Sequence, residues 1–563
     1  MGLYATLPDE LHEVDVIIVG GGTAGCVIAS RLADSDPERS ILVIEGGPNN
    51  QDLPVITYPA LYRGNFTPDS HTFQFYQPAV EEQLSGRAVV VVVGSVLGGG
   101  SSINGAIYTR AQRDDYDSWN TEGWSADDLL PFLKKVRTYH GRGDEGCHGD
   151  SGPINVSSGI YRGDAIADDF VAAMNQIGYP EVSDLQDLLS ANAVLRVLFN
   201  QHKQATRVEY RPNPRIQADA TGNLTQTIKA RKLVIISAGT HSTPLILERS
   251  GIGSNEILER AAVPVLHDLP GVGHGYQDHQ MVVYTYKSSM RPEDTTESLI
   301  DGTRDLEELL AKNDKILSWN GIDASLKVRP TESEVDSLGS EFREVWDKDF
   351  KNAPRRPLAL MFSVAGILGE PSLLLPGQFF SIACYNAYPY SRGYVHITGP
   401  NIEDPLDFKT GYLSDHDDID LKTQVWLYKA QREVARRMHF YRGETHRHPN
   451  FLQGSNASSF TEPGSDSAKA NIEYSSEDDE AIKQWVRENI GTAYHSIGTC
   501  KMGPMERLGV VDKNLNAHGV QRLKVADLSI APENVSGNTM STALTIGEKA
   551  ADIFIKELGL DRR

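Results

Sequence analysis

Apolar runs separated by a glycine-rich turn mark the beginning of the chain. Val14–Val19 (VDVIIV) is almost entirely apolar, which is typical of a strand buried on both faces. Cys26–Ala33 carries small and apolar residues at helical spacing, and Ile41–Ile44 is a second buried strand. Together they predict a βαβ unit that spans about 30 residues.

Two further strand-and-turn segments follow. In Val89–Tyr108, a valine strand runs into Gly98-Gly99-Gly100, where the small residues suit either a flexible turn or close approach of the backbone to a large ligand. Leu233–Ser237 predicts a strand, and the next helix is predicted to begin near Ser242 and to end at Ser250.

The C-terminal half changes character before the pattern returns. Between residues 287 and 488 charged runs predict solvated helix faces, while Leu358–Val364 and Phe379–Cys384 predict β-strands. Leu523–Ala526 then predicts a strand, and Thr542–Leu558 a long helix. We therefore predict an α/β fold with a doubly wound Rossmann-like domain and an α+β domain built on an antiparallel sheet. The first domain is assigned 1–160, 190–286 and 489–563, and the second 161–189 and 287–488.

The first turn has the spacing of a dinucleotide-binding fingerprint. Gly20 permits the tight turn, Gly22 lets the backbone approach a pyrophosphate at the helix N-terminus, and Gly25 allows close packing of helix on strand. Glu45, at the end of the second strand, can accept hydrogen bonds from a ribose diol. This context predicts a dinucleotide site and does not separate NAD from FAD. The alternative is a glycine-rich turn without a ligand.

Composition narrows the classes of function. The chain has 563 residues, of which 40% are hydrophobic and 23% charged, so wholesale disorder is excluded. Its net charge of −22 disfavours nucleic acid and anionic membrane as partners. The four cysteines show no metal-site spacing, and no apolar run has the length of a transmembrane helix. The N-terminus lacks the features of a secretory signal and the C-terminus lacks S-K-L, so an intracellular, cytoplasmic protein is expected.

Four segments in series resemble the glucose–methanol–choline (GMC) family of FAD oxidoreductases. VLGGGSSIN resembles the first family signature, and GTHSTPLILERSGIG matches the second throughout. YHSIGTCKMG and VADLSIAPENVSGNTMSTALTIGEKAADI resemble the catalytic C-terminus of the family. Within the family the chain looks most like the intracellular alcohol (methanol) oxidases. The resemblance favours FAD over NAD and implies oxidation of a small primary alcohol to the aldehyde, with hydride transfer to flavin N5 and reduction of O2 to H2O2.

The resemblance also implies the catalytic pair. His495 stands at the catalytic histidine of the family and would take the proton of the alcohol, a task that suits an imidazole. Asn538 stands where family members carry His or Asn, and it would orient the substrate oxygen.

Cofactor contacts carry over from the same match. Gly20, Gly22 and Gly25 would approach the pyrophosphate, together with Ala24 in the same turn, and Glu45 would bind the adenosine ribose. The other implied contacts lie beside the flavin or the pyrophosphate: Gly99, Ser102, Asn104, Gly105, Asp527 and Thr539. Some relatives attach FAD covalently through a His that precedes the Asn of this loop. Ile103 occupies that position here, which predicts non-covalent FAD.

Two departures from the family pattern stand out. Ser95 lies where the first signature prefers Arg, Lys, Asn or Cys. Over residues 184–199 the chain passes from LQDLL almost directly to NAVLRVLF, whereas relatives place a few tens of residues there, including a strand that touches the adenine. Either the domain is trimmed at this point or FAD binding is compromised.

Several functions therefore stay open. A GMC enzyme could act on another substrate, such as an aryl alcohol or formate, or pass electrons to a quinone. A hydroxynitrile lyase that keeps FAD as a relic and a relative deficient in FAD are remoter alternatives. The expected partners of the leading hypothesis are a small-molecule alcohol and O2, and self-association into a homo-oligomer is compatible with the sequence.

Overall fold

The computed structural model describes residues 4, 7–8, 10–141, 146–157, 159–177, 194–211, 213, 225–369, 374, 376–458 and 470–560. The helices are α1 Thr23–Ser35, α2 Pro54–Thr57, α3 Arg113–Asp117, α4 Ala126–Lys135, α5 Asp164–Gln176, α6 Gly239–Arg249, α7 Asn255–Arg260, α8 Leu306–Lys312, α9 Glu332–Ser337, α10 Ser340–Asp349, α11 Ile419–Arg437, α12 Ser476–Asn489 and α13 Met540–Glu557. The strands are β1 Glu13–Val19, β2 Ile41–Ile44, β3 Phe73–Tyr76, β4 Val91–Gly94, β5 Arg137–Tyr139, β6 Ile154–Val156, β7 Arg196–Phe199, β8 Ala205–Tyr210, β9 Gln226–Ile236, β10 Ile252–Gly253, β11 His267–Asp268, β12 His274–Tyr276, β13 Gln280–Ser288, β14 Ala324–Val328, β15 Ala359–Val364, β16 Phe379–Asn386, β17 Gly393–Ile397, β18 Leu406–Lys409, β19 Tyr441–Glu444, β20 Gly491–Thr492 and β21 Leu523–Val525.

A six-stranded sheet carries the predicted βαβ unit. Its order is β2-β1-β9-β8-β7, with β21 added to β9. β1 pairs in parallel with β2 and β9, and β21 also joins β9 in parallel, while β8 runs antiparallel to its neighbours. Because these pairings are parallel, the carboxyl ends of β1, β2 and β21 meet at one edge of the sheet, beside the N-terminus of α1.

The helix α13 packs closely on α1. A Cβ atom on Gly547 of α13 would be 2.9 Å from the carbonyl oxygen of Ala24.

A second, antiparallel sheet is assembled from the central part of the chain. Its order is β14-β15-β16-β13-β19, and β20 also pairs with β13. Val282, Tyr284 and Tyr286 of β13 are buried in a core that includes residues of α11, while Met281 and Val283 project to the other side, into a cavity. One face of this sheet thus packs on helices and the other forms a wall of the cavity.

Both layers agree with the fold class predicted from the sequence. The antiparallel sheet contains the predicted strands at Leu358–Val364 and Phe379–Cys384, observed as β15 and β16. The acidic run at 476–489 forms the helix α12, as its charge pattern predicted. The predicted division at 286/287 falls inside β13, and the domain boundaries stay a prediction. No helix in the part of the chain described is long and apolar enough to cross a bilayer.

Candidate active site

The glycine turn after β1 forms one end of a cavity of about 1570 Å³. Gly20 has φ +98°, and a Cβ atom there would lie 2.4 Å from the carbonyl oxygen of Ser237. A Cβ atom on Gly25 would lie 2.1 Å from the carbonyl oxygen of Gly20. Only glycine fits at these two positions, and the tight turn leaves the N-terminus of α1 facing the cavity, where backbone N–H groups favour an anion.

Glu45 closes the same end from β2. Its carboxylate accepts hydrogen bonds from the backbone N–H groups of Gly21 (3.0 Å) and Gly47 (3.2 Å). Burial raises the pKa of Glu45 to about 8, against which the two backbone hydrogen bonds act. The side chain lines the cavity next to the glycine turn, a position from which a carboxyl group can bind a diol.

Asp527 follows β21 and joins the first sheet to α6. One of its carboxylate oxygens accepts hydrogen bonds from the N–H of Gly239 (2.9 Å) and the hydroxyl of Thr243 (2.6 Å), and the other accepts from Ser529 N–H (2.8 Å). Burial raises the pKa of the Asp527 carboxyl. Asp527 thereby caps a helix that is distant in sequence and brings its N-terminus to the cavity.

The second glycine segment folds onto the first turn. Gly98 has φ +95°, its N–H donates to the carbonyl oxygen of Gly21 (3.0 Å), and its own carbonyl accepts from the Thr23 hydroxyl (2.9 Å). Asn104 accepts a hydrogen bond from Ala106 N–H at 2.8 Å. The loop is therefore a fixed wall of the cavity rather than a free turn.

His495 and Asn538 lie together on the wall of the cavity. The side-chain nitrogen of Asn538 is 3.1 Å from Nε2 of His495, and the amide oxygen accepts a hydrogen bond from the Thr109 hydroxyl (2.7 Å). Burial lowers the pKa of His495 to about 3. The neighbouring Tyr494 has φ +61°, a conformation that costs energy for a residue other than glycine. An uncharged imidazole thus faces the cavity at a locally strained turn.

A second histidine and an aspartate support His495 from the segment before β13. Nδ1 of His279 is 2.9 Å from Nδ1 of His495, and Asp278 accepts the backbone N–H of His495 at 2.8 Å. Burial raises the pKa of Asp278, and hydroxyl donors surround its other oxygen. These hydroxyls belong to Tyr276, Tyr412, Thr492 and Ser496. Nothing in the sequence around Asp278 and His279 signals their contact with residue 495.

The wall beside His495 is apolar. Met281 and Val283 of β13 contribute to it together with Phe362 of β15 and Tyr385 of β16. Tyr385 also stacks on His279, with ring centroids 4.9 Å apart. The Tyr385 side chain therefore lines the pocket and also packs on His279.

Most of the residues singled out in the sequence surround this one cavity. Those that line it are Gly20, Gly22, Ala24, Glu45, Gly99, Asn104, Gly105, His495, Asp527, Asn538 and Thr539. Gly25 and Ser102 are not among its lining residues. Gly25 packs against Gly20, and the Ser102 hydroxyl donates to the carbonyl oxygen of Leu97 (2.7 Å), so both hold the glycine segments in shape.

The cavity also touches the segment that is short relative to the family. Residues 178–193 lie outside the described residues, so most of the departure at 184–199 does too. Val194 and Leu195, which follow directly, line the cavity, and β7 joins the edge of the first sheet. Asn213 also lines it and donates to the carbonyl oxygen of Gly46 (2.5 Å), next to Glu45. Residues that follow the shortened segment therefore form part of the cavity wall.

Comparison with known families identifies the chain. The GMC oxidoreductase family models match residues 14–188 and 184–281 in the N-terminal part and residues 389–547 in the C-terminal part. The chain belongs to the GMC oxidoreductase family. The N-terminal match is split at residues 184–188, which is where the sequence appeared short of a segment.

Curated relatives match the chain over nearly its full length. An alcohol oxidase of Candida boidinii is 35% identical over 640 residues, which cover 97% of this chain and 96% of the relative. An alcohol oxidase of Pichia angusta is 36% identical over 647 residues, covering 98% and 96%. Both alignments are longer than this chain of 563 residues, so the relatives carry insertions.

A solved structure shares the fold. A formate oxidase of Aspergillus oryzae RIB40 superposes with a TM-score of 0.81 at 20% identity, covering 98% of this chain and 100% of that one. The predicted combination of a Rossmann-like domain and a domain on an antiparallel sheet is thus confirmed. The prediction of an oxidoreductase of the GMC family is confirmed as well.

Proposed function

We propose that this GMC oxidoreductase is an FAD-dependent oxidase of small primary alcohols that yields the aldehyde and H2O2. The observation that carries the proposal is the contact between His495 and Asn538 on the wall of a cavity that the glycine turn after β1 also lines. The identity with alcohol oxidases over nearly the whole chain supports the substrate class.

The residues present fit FAD. The cavity of about 1570 Å³ exceeds the roughly 300–1,000 Å³ of ordinary ligand pockets, so it has room for a dinucleotide and a substrate. Gly20 and Gly22 would hold the pyrophosphate at the N-terminus of α1, with Asp527 nearby, and Glu45 would bind the ribose. The flavin ring would lie against the loop Gly98–Gly105 and Thr539. Ile103 lines the cavity and offers no nucleophile, which favours non-covalent binding.

When bound, FAD would supply the oxidant for removal of a hydride from the alcohol carbon, and O2 would be the final acceptor of the two electrons. His495 takes the hydroxyl proton of the alcohol at Nε2. The ring is uncharged and able to accept this proton because burial lowers its pKa. The amide of Asn538 is fixed by Thr109 so that its NH2 group can donate to the substrate oxygen as negative charge develops there.

The substrate side of the site suits an uncharged alcohol. Met281, Phe362 and Tyr385 form the wall beside His495, and carbon chains gain from burial against such a surface. A carboxylate such as formate would need a cation to hold it, and the nearest polar partner of His495 on the cavity side is the neutral Asn538. We therefore place aliphatic and aryl alcohols ahead of formate as substrates.

The experiment is anaerobic mixing of the purified holoenzyme with an alcohol, followed by admission of O2. Methanol, ethanol and benzyl alcohol are each tested in turn. For an oxidase we expect loss of absorbance near 450 nm with the alcohol and stoichiometric H2O2 on reoxidation. Reduction without peroxide points to a dehydrogenase that passes electrons to a quinone. Absence of bleaching with every alcohol contradicts the proposal and leaves the lyase, and protein without absorbance near 450 nm points to an FAD-deficient relative.

The remaining sequence-based predictions complete the proposal. An alcohol and O2 are the small-molecule partners, and assembly into a homo-oligomer is open to measurement by light scattering. The intracellular, cytoplasmic location stays a prediction, to be checked by fractionation of cells that express the untagged chain.

A further inference from the structure

His279 faces the proposed base across a short contact. The Nδ1 atoms of His279 and His495 are 2.9 Å apart, and the rings are almost perpendicular, at 86°. The two residues lie on neighbouring chain segments that run antiparallel. Ala493 N–H donates to the carbonyl oxygen of His279 (2.9 Å), and Gln277 bridges to Ile497. The backbone therefore fixes both rings, and the close approach of their nitrogens needs a hydrogen bond in which one of them carries the proton.

The surroundings of His279 decide which nitrogen that is. Nε2 of His279 is 3.1 Å from the backbone carbonyl oxygen of Ala387, which can only accept, so Nε2 must carry a hydrogen. Burial holds the pKa of His279 well below its usual range, although hydrogen bonds to the Ala387 and Val535 backbone act in the opposite direction. A neutral ring with a hydrogen on Nε2 has none on Nδ1. Nδ1 of His279 is therefore the acceptor, and Nδ1 of His495 is the donor.

The other side of His495 agrees with this assignment. A neutral His495 that carries its hydrogen on Nδ1 has a free lone pair on Nε2, and the Asn538 side-chain nitrogen that lies 3.1 Å away is a donor. The Asn538 amide presents its nitrogen to His495 and its oxygen to the hydroxyl of Thr109, which is the orientation that a lone pair on Nε2 requires. Every donor then points the same way, from Asn538 through His495 and His279 to Ala387.

We infer that His279 is a positioning residue that holds His495 in the tautomer protonated at Nδ1, so that Nε2 is the basic atom on the cavity side. This inference rests on the proposed role of His495. When His495 takes the proton of an alcohol, the O–H bond breaks and an N–H bond forms at Nε2, while Nδ1 goes on donating to His279. The ring becomes a cation, and the proton stays on it until it is released to solvent.

His279 orients the base but does not accept its proton. Its second nitrogen already donates to Ala387, whose carbonyl oxygen is no base, so a proton that arrived at Nδ1 would have no onward path. A neutral imidazole also lacks the charge with which a carboxylate partner would stabilise the His495 cation. The Asp278 carboxylate is bound to the His495 backbone and to hydroxyls, so its hydrogen bonds fix the position of the segment.

Two substitutions of similar size separate the two nitrogens of His279. In His279→Asn the amide oxygen can occupy the place of Nδ1 and accept from His495. In His279→Gln the amide reaches the place of Nε2, near Ala387, and leaves no acceptor at Nδ1. We expect His279→Gln to slow anaerobic flavin reduction by about 10²–10⁴-fold, as loss of the correct tautomer does in other histidine-dependent enzymes. His279→Asn should reduce the flavin at least tenfold faster than His279→Gln. The dissociation constant of the alcohol should change little in either variant.

A second measurement needs no turnover. Magic-angle-spinning NMR of protein labelled with ¹⁵N in the histidine rings, compared with His495→Gln, assigns the two nitrogens of residue 495. A protonated Nδ1 and an unprotonated Nε2 in the resting holoenzyme are the expected result. The reverse result overturns the inference even if His279→Gln does not fold. Equal rates in His279→Gln and the wild type, or equal losses in both variants, also overturn it. If no alcohol reduces the wild-type flavin, the proposed function fails while the NMR result still tests the tautomer.

Discussion

The amide nitrogen of Asn538 lies 3.1 Å from Nε2 of His495, and the amide oxygen accepts the Thr109 hydroxyl at 2.7 Å. Thr109 also accepts the backbone N–H of Asn538. A single hydroxyl thus fixes both the main chain and the side chain of the residue that is proposed to hold the substrate oxygen.

Replacing Thr109 should release this amide. We expect Thr109→Val to lower the rate of flavin reduction by about tenfold, since one hydrogen bond of about 1–1.5 kcal/mol no longer orients Asn538. Thr109→Ser keeps the hydroxyl and should stay close to the wild-type rate. Rapid mixing under anaerobic conditions measures both variants, and equal rates in Val and Ser would show that the amide needs no anchor.

Removal of the proposed base should have a larger effect. His495→Ala is expected to slow flavin reduction by about 10²–10⁴-fold, the contribution of a general base. The matched control is His416→Ala, because the side chain of His416 is 97% exposed and, among the described residues, pairs with Asp417 alone. Near wild-type reduction in the His495 variant would refute the assignment.

The rate of flavin reduction should begin to fall at a lower pH than it would if the base were a histidine with an ordinary pKa. Burial lowers the pKa of His495 to about 3, compared with about 6.5 in water, so the ring stays uncharged and basic as the pH falls through 6 and 5. The limiting rate of flavin reduction should therefore remain flat from pH 8 to about pH 5 and fall only in stronger acid. A decline centred near pH 6.5 in stopped-flow data would contradict this.

Gly25 should tolerate no side chain. In Gly25→Ala the new Cβ would lie 2.1 Å from the backbone oxygen of Gly20, and relief of that clash must move α1 away from β1. We expect a loss of about 1–3 kcal/mol in the free energy of unfolding and a lower FAD content per chain. Gly377→Ala is the control, because among the described residues its Cβ would meet the Phe379 ring alone, at 3.4 Å. Urea unfolding and absorbance near 450 nm give the two readouts, and unchanged values for Gly25→Ala would rule out the close packing.

His241 should make the fold sensitive to acid. It is 2% exposed, stacks on Tyr76 and, among the described residues, has no hydrogen-bond partner for either ring nitrogen; burial lowers its pKa to about 3. Between pH 6.5 and 3 the unfolded chain therefore binds a proton that the folded chain does not. The free energy of unfolding consequently falls as the pH falls, by up to about 1.4 kcal/mol per pH unit for this group.

Phenylalanine cannot bind a proton, so His241→Phe should make the free energy of unfolding less dependent on pH. Urea unfolding at pH 4.5, 5.5 and 7.5 measures the free energy of unfolding. The stability of the variant relative to the wild type should increase as the pH falls below 6.5 and should not change with pH above 6.5. His241→Gln also cannot titrate, so it should show the same flattening at lower overall stability. Parallel curves for wild type and His241→Phe would mean that the buried ring is not the acid-sensitive group.

The sequence predicted the local elements well because their causes are local. The apolar run of β1, the glycine turn and the strand β2 follow from neighbouring residues, and all three are observed at the predicted places. The start of α6 was predicted near Ser242, whereas the helix begins at Gly239. Asp527 accepts the N–H of Gly239 from the segment that follows β21, far along the chain, so the local Ser and Thr signals misplaced the boundary.

The site divides in the same way. His495 and Asn538 were reached through a family resemblance, and their mutual contact was not deducible from spacing alone. His279 was missed as a functional residue because its role depends on the pairing of its segment with residues 493–497, which no periodicity reveals. Thr109 was missed for the same reason: an unremarkable threonine acquires its function from the neighbour that folding brings to it.

The pairing of β21 with β9 sets the order in which the molecule can be completed during synthesis. Val234–Ile236 of β9 are joined on one side by β1 and on the other by residues 523–525. As a ribosome delivers the chain, that second side stays an open edge until nearly all the protein has emerged, and His495, Asp527 and Asn538 also arrive late. A nascent chain cannot therefore finish its cofactor site early, and truncation before residue 523 should expose a strand edge that invites aggregation.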